Sequence, residues 1–263
     1  MKILIIGKRS IIANYFVSKY KKKIQMKLLS LSQAKKISQK KINNFDWILN
    51  CGFKKNIHNS INNPDLQILK KIKNASLKYI MMSTAKVYGS KKFEVFKESK
   101  ISKPKSAYGK LRLTTENKII KSLGERALIL RVSNVLIHNF NNNKKNFNTL
   151  DQMIYSFKND KKIFLPKKKI IKDFVTLDFL VKNIFLLIKK NKYGIFNISS
   201  SCKISLEELA KIILKKLGSG NIIRTNGTTD SFLLSNKKLL NINKIKIKKK
   251  NILNNINSLK INI

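Results

Sequence analysis

Apolar residues in the first half of the chain fall into short unbroken runs that alternate with helical stripes. The first run, Lys2-Ile3-Leu4-Ile5-Ile6, is rich in β-branched residues and stops at Gly7. A run without polar alternation suits a strand buried on both faces of a parallel sheet. Ile11, Ile12, Tyr15 and Phe16 then recur at helical spacing, and Lys21-Lys22-Lys23 put cations where a helix C-terminus favours them. Further strands are predicted over 26–31, over 47–51, over 78–82 and over 127–131. Between them, Asn63-Pro64-Asp65 opens a helix with Leu66, Ile68, Leu69 and Ile72 on one stripe, and a second helix is predicted over 108–123. Strands alternating with helices of this length predict βαβ units and a parallel sheet.

Beyond Ser133 the pattern changes. Residues 138–148 are rich in Asn and Lys and predict a loop. A strongly apolar helix is predicted over 176–190, followed by a strand over Gly194–Ile198. Ser205, with Glu208 three residues on, predicts a capping box, and Gly218 a helix stop after Leu217. The segment 236–263 has apolar residues regular enough for helix or strand, and the pattern does not choose. The expected class is α/β: a doubly wound parallel sheet with a smaller C-terminal substrate lobe. The expected core is 1–135 plus 170–199; the expected lobe is 136–169 plus 200–263.

Length and charge add constraints. At about 150 residues per domain, 263 residues make one or two domains. The 57 Lys and Arg against 13 Asp and Glu give a formal charge of +44. Such a charge attracts anionic ligands. It is also what compositional drift produces, because Lys, Asn and Ile dominate every segment and the cations do not gather in one patch. Nucleic-acid footprints are localised, and the chain has no aromatic ribonucleoprotein signature, Gly-x-x-Gly clamp or zinc knuckle. No specific nucleic-acid partner is therefore expected. Cys51 and Cys202 do not make a disulfide framework, which points to a reducing cytoplasm. The two histidines, His58 and His138, are too few for a His-rich zinc site, and no metal is expected. The apolar run over 179–188 is broken by Lys182 and falls short of the roughly 20 residues that span a bilayer.

The candidate chemistry lies at the strand ends. The turn Gly7-Lys8-Arg9-Ser10-Ile11-Ile12-Ala13 has the spacing of a diphosphate-binding βα turn, with Ser10 and Ala13 where further glycines would stand. Asn50-Cys51-Gly52 ends one strand and Ser83-Thr84-Ala85-Lys86-Val87-Tyr88-Gly89 another. Glu98-Ser99, Tyr108-Gly109-Lys110 and Leu130-Arg131-Val132-Ser133-Asn134 follow. Taken singly, each is also what an ordinary strand-ending turn looks like.

Taken together, their order and spacing resemble the extended short-chain dehydrogenases/reductases, and within them the nucleotide-sugar epimerase, dehydratase and reductase family. Lys172-Asp173-Phe174-Val175-Thr176-Leu177-Asp178 and Gly194-Ile195-Phe196-Asn197-Ile198 extend the likeness over nearly the whole chain. The resemblance implies a Rossmann fold and an epimerase or reductase acting on a nucleotide-activated sugar. Tyr108 would be the acid/base, and Thr84, with Ser83 beside it, would bond the reacting oxygen. Arg112 stands where the family has a lysine, one helical turn from the tyrosine. The cofactor would lie on Gly7, Arg9, Ser10, Ile11, Ile12, Asn50, Cys51, Ser83 and Arg131. No acid follows the second strand, at Leu29-Ser30-Leu31-Ser32, while Lys8 and Arg9 lie in the turn, so NADP is favoured over NAD. Ala85-Lys86 after Thr84 disfavours a dehydratase. The resemblance also implies a homodimer paired through the tyrosine helix, whose apolar residues include Leu111, Leu113 and Ile119. The alternative is a non-catalytic relative that keeps the fold and binds a nucleotide or a partner.

Overall fold

The computed structural model describes residues 1–52, 62–89, 93–137, 148–227 and 230–259. His58, His138 and residues 138–147 of the expected loop lie outside the described residues. From the N-terminus come β1 (Lys2–Ile6), α1 (Ile11–Tyr20), β2 (Gln25–Leu29), α2 (Leu31–Lys36), α3 (Gln39–Ile42), β3 (Trp47–Asn50), α4 (Pro64–Ile72), β4 (Lys78–Thr84), β5 (Val95–Phe96), α5 (Ala107–Leu123), β6 (Ala127–Val132) and β7 (Asn134–Leu136). They are followed by α6 (Thr149–Asp160), β8 (Lys162–Pro166), β9 (Ile171–Lys172), β10 (Phe174–Thr176), α7 (Leu177–Lys189), β11 (Gly194–Ile198), β12 (Ile204–Ser205), α8 (Leu206–Leu217), β13 (Asn221–Thr225), β14 (Leu233–Leu234), α9 (Lys237–Asn243) and α10 (Lys249–Ser258).

A six-stranded sheet runs in the order β11-β6-β4-β3-β1-β2. The pairs β1–β2, β1–β3, β3–β4 and β4–β6 are all parallel. This is the α/β class with a doubly wound sheet that the run pattern implies. Ile3, Leu4, Ile5 and Ile6 are all buried, so every position of β1 after the exposed Lys2 has to be apolar. Each such side chain contributes about 1.5–3 kcal/mol of burial free energy. β2 lies at the sheet edge and alternates exposed Gln25 and Lys27 with better covered neighbours. It ends at Leu29, two residues earlier than its apolar pattern predicts. Ser30 leaves the strand to cap α2, in a capping box with Gln33.

The chain divides into two compact units. The first is Met1–Gly89, Glu98–Val132 and Val181–Asn197; the second is Ser90–Lys97, Ser133–Leu180 and Ile198–Ile263. The expected core pieces 90–97, 133–135, 170–180 and 198–199 thus fall in the second unit, where their short strands find partners. β5 pairs with β14, β10 with β7, and β9 with β12. In the first unit, Ile68 and Ile72 of α4 and Ile119 of α5 pack with Ile48, Met81 and Ile129 of the sheet.

In the second unit, Ile154 and Phe157 of α6, Ile163 of β8, Ile213 of α8, and Ile252 and Ile256 of α10 share a core. The segment after 236 is therefore helical: Ile252 and Ile256, four residues apart, fall on one face and bury there. The capping box of Ser205 and Glu208 forms as its spacing predicts, and Gly218 closes α8. The polar centre of this unit is Asp173, between β9 and β10 and 2% exposed. It accepts from Ser199 Oγ at 2.6 Å, Ser200 N at 3.0 Å, Ser200 Oγ at 2.8 Å, Ser201 N at 3.2 Å and Leu234 N at 3.4 Å. Among the described residues, no helix is long and apolar enough to cross a membrane.

Candidate active site

The chain passes from β1 to β2 on one side and then to β3, β4 and β6 on the other, so the strand order reverses between β1 and β3. Open α/β sheets bind ligands at the C-terminal ends of strands beside such a reversal. Gly7, Asn50 with Cys51, Ser83 with Thr84, and Arg131 all stand at those ends, on four adjacent strands of the first unit.

At the reversal the backbones meet. Gly7 has φ +122°, and a Cβ there would come within 2.9 Å of the Cys51 carbonyl carbon. Only glycine fits both demands. Its N–H bonds Leu29 O at 2.8 Å, and Cys51 N bonds Ile6 O at 2.8 Å. Ser10 caps α1 by accepting from Ala13 N. The amides of Ile11 and Ile12 precede Ala13 in the turn, among those an α-helix leaves without intrahelical acceptors. Asn14 Nδ2 donates to Lys8 O and Ser10 O, both at 2.9 Å, which fixes the turn. Arg9 is exposed beside it. A glycine cradle, a capped ten-residue helix and exposed cations are a donor set that fits a diphosphate. Burial, then the Asp65 charge, push the Cys51 thiol up to about 12, so it is a neutral wall rather than a nucleophile.

Thr84 ends β4, and its hydroxyl accepts from Lys86 N in the short turn Ala85–Val87. Tyr108 is in the first turn of α5, which Ser106 caps through Gly109 N at 3.0 Å. Gly109 lies against that turn so closely that a Cβ would come within 2.5 Å of Lys86 O. This approach brings the start of α5, and Tyr108 with it, to the end of β4. Tyr108 is half-buried. Burial pushes its phenol up; the Arg112 charge pulls it down and the Asp65 charge pushes it up again.

Arg112 lies one turn beyond Tyr108, as the spacing requires, but it is fully buried. Its guanidinium bonds Asp65 Oδ2 at 2.7 Å and also Met82 O. Asp65 Oδ1 accepts from Tyr79 Oη at 2.6 Å and Asn50 Nδ2 at 2.8 Å. Alongside, Asn63 Nδ2 donates to Thr115 Oγ1 at 2.7 Å, tying the start of α4 to α5. The planar fork of Arg112 thus meets a carboxylate of α4.

Ser83 and Arg131 are joined through Glu116 of α5. The Ser83 hydroxyl donates to Glu116 Oε1, and Arg131 donates to Oε2 through Nε at 3.0 Å and Nη2 at 2.7 Å. Arg131 also lies over the Tyr88 ring at 4.7 Å, and Tyr88 Oη donates to Asn197 Oδ1 at 2.8 Å. Residues expected to touch cofactor are thus tied to one another, bracing the ends of β4 and β6.

Asp65, Glu116, Tyr79 and Tyr88 escape sequence reasoning as site residues. Asp65 looks like an acid opening a helix, and Glu116 like one charge on a solvated helix. A usable signal was their rarity: with 13 acids in the chain, an acid within an apolar stripe is conspicuous. Among the described residues, no three His, Cys, Asp or Glu side chains gather as a metal site.

A family model described as "RmlD substrate binding domain" matches residues 1–232. No curated protein matches the chain in sequence. Solved structures match it in fold. One is a UDP-N-acetylglucosamine 4-epimerase from Methanobrevibacter ruminantium in complex with UDP-N-acetylmuramic acid, with TM-score 0.82, 16% identity, and 97% of this chain and 96% of that one covered. Another is a dTDP-4-dehydrorhamnose reductase from Clostridium acetobutylicum, with TM-score 0.78, 17% identity, and 98% and 97% covered. A third is a UDP-glucuronic acid 4-epimerase from Bacillus cereus in complex with NAD, with TM-score 0.78, 17% identity, and 98% and 97% covered. At these identities the likeness is one of fold.

Proposed function

The chain belongs to the RmlD substrate binding domain family, and from that premise we propose that it is a nicotinamide-dinucleotide-dependent epimerase or reductase of a nucleotide-activated sugar. The observation that carries this reading is the seating of the start of α5, which holds Tyr108, against the turn that follows Thr84, on a sheet whose β1 turn fits a diphosphate. The names of the structural neighbours support it: one holds NAD, and another holds a UDP-sugar derivative.

In this reading Gly7, Ser10, Ile11 and Ile12 hold the diphosphate, and Asn50 and Cys51 wall the dinucleotide. The nicotinamide, when bound, supplies the hydride chemistry. Thr84 holds the reacting oxygen of the sugar by its hydroxyl, and Tyr108 moves the proton at that oxygen. Ser83 and Arg131 serve by bracing the strand ends through Glu116. Arg112 acts on Tyr108 by its charge. Nicotinamide fluorescence on titration with the purified protein, followed by turnover over a panel of nucleotide sugars, tests the reading. Binding without turnover of any sugar would favour a non-catalytic relative, which the burial of Arg112 also favours.

The cofactor preference follows the exposed cations. Ser30 and Ser32 follow β2 with no acid to hold a ribose, while Lys8 and Arg9 are exposed beside the turn. NADP(H) should bind more tightly than NAD(H), and Arg9→Ala should weaken NADP(H) by about tenfold with less effect on NAD(H), as measured by fluorescence titration. Equal losses would mean that Arg9 meets only the shared diphosphate.

The proposed assembly is a homodimer through α4 and α5. Ile119 is taken by the core, whereas Leu111 and Leu113 are only half-buried and remain for a partner. With a formal charge of +44 the copies repel at low salt, so light scattering at moderate salt should show a dimer. A monomer under those conditions would exclude it.

A further inference from the structure

The cation one turn beyond Tyr108 has its charge already answered. Arg112 and Asp65 are 2.7 Å apart, with side chains 1% and 2% exposed. Asp65 is itself held: Tyr79 of β4 and Asn50 of β3 both donate to Oδ1, leaving Oδ2 for Arg112. The carboxylate also sits in the first turn of α4, where the helix dipole favours a negative charge. A lysine-rich composition explains surplus cations, but it does not explain an acid placed opposite a cation inside the core.

We infer that Asp65 is a positioning residue of the proposed centre: it draws Arg112 into the core of the first unit and offsets part of its charge there, so that the pull of the cation on the Tyr108 phenol is weakened and its guanidinium is held by a carboxylate rather than offered to a ligand. This rests on the reading of Tyr108 as the acid/base. The charged and titratable groups facing the pair are Tyr79 from β4, Cys51 after β3 and Tyr108 from α5. Burial pushes the Tyr108 phenol above its ordinary value, the Arg112 charge pulls it back down, and the Asp65 charge opposes part of that pull. A lone cation at this position would instead favour the tyrosinate. In this chain burial keeps Tyr108 as a phenol and Asp65 limits the opposing pull of Arg112, which leaves a form suited to giving a proton to a carbonyl oxygen rather than taking one from a hydroxyl.

The test is the titration of Tyr108 in the full chain, without substrate. The tyrosines are replaced by 3-fluorotyrosine, which titrates lower, with the unfolding midpoint as the check on the fold, and Tyr108 is assigned by its loss in Tyr108→Phe. Asp65→Asn should lower the Tyr108 pKa by about one unit, because Arg112 is then unopposed. Asp65→Asn also leaves a buried cation without its carboxylate and can fail to fold. Asp65→Asn with Arg112→Gln carries no buried charge and should hold the fold, with Tyr108 within about half a unit of wild type, because opposed charges leave together. No fall in Asp65→Asn, or a rise of about half a unit or more in the double variant, would overturn the inference. Full turnover by Tyr108→Phe would instead sink the catalytic reading alone, since the titration needs no reaction.

Discussion

Replacing Tyr108 with phenylalanine should lower kcat for turnover of the nucleotide sugar by about a thousandfold, with nucleotide binding nearly unchanged. The substitution removes one hydroxyl from a half-buried ring at the start of α5. Ser106 still caps the helix and Gly109 still seats it on the turn Ala85–Val87. The fold should therefore survive, and an unchanged unfolding midpoint checks that it does. The chemistry should not survive, because no other hydroxyl on α5 lies in its first turn. The pH profile carries a second signature. With the phenol pushed above 10.0, Tyr108 carries its proton at neutral pH. Reduction of a keto sugar, in which Tyr108 gives that proton, should be flat with pH up to about 10. Oxidation of the hydroxyl, in which it must take a proton, should rise with pH over the same range. Opposite slopes, or a Tyr108→Phe variant with undiminished kcat, would remove Tyr108 from the acid/base role.

Asp173→Ala should destabilise the protein by about 3–5 kcal/mol, a fall of about 10 °C in unfolding midpoint. The carboxylate accepts from five donors of three serines and Leu234, all inside the second unit. Ser199 Oγ also donates to Leu234 O at 2.6 Å and Ser201 N to Ser199 Oγ at 2.9 Å, whereas Ser200 donates to Asp173 through both its amide and its hydroxyl. Asp173→Asn keeps the volume and one oxygen, and should lose less. It also isolates the charge. Burial raises the Asp173 pKa above 3.8 against the pull of its hydrogen bonds. An acid whose folded pKa is raised contributes most when protonated. That contribution is complete below pH 3.8 and is lost as pH rises through the folded-state value. The stability gap between wild type and Asp173→Asn should therefore narrow as pH rises through that window. A gap that widens would mean that hydrogen bonding outweighs burial at this site.

The inner strands of the main sheet were legible because burial on both faces demands runs of apolar residues. That is why the inner strand β1 has the bounds that its pattern predicts, whereas β2, an edge strand, stops two residues before its pattern does. The short strands of the second unit were not legible. β9, β12 and β14 are two residues long, below the length at which any period shows. The helical character of the segment after 236 was undecidable for a related reason: Ile252 and Ile256 mark a helix face only once a core is there to receive them.

The site divides along the same line. By itself the sequence determined the local parts: the glycine at the β1 turn, the serine caps, the hydroxyls ending β4, and the tyrosine in the first turn of α5. These are set by backbone conformation and by neighbours within a few residues, which the order of residues states directly. Tertiary structure alone decided where the charges go. Arg112 lies 47 residues from Asp65 in sequence, Glu116 lies 33 from Ser83, and Ser199 lies 26 from Asp173. No spacing encodes such pairs, because they form only when the sheet and helices have brought distant segments together. Within a core, a buried charge must find the one partner that folding places in reach, and that partner sets what the charge can do.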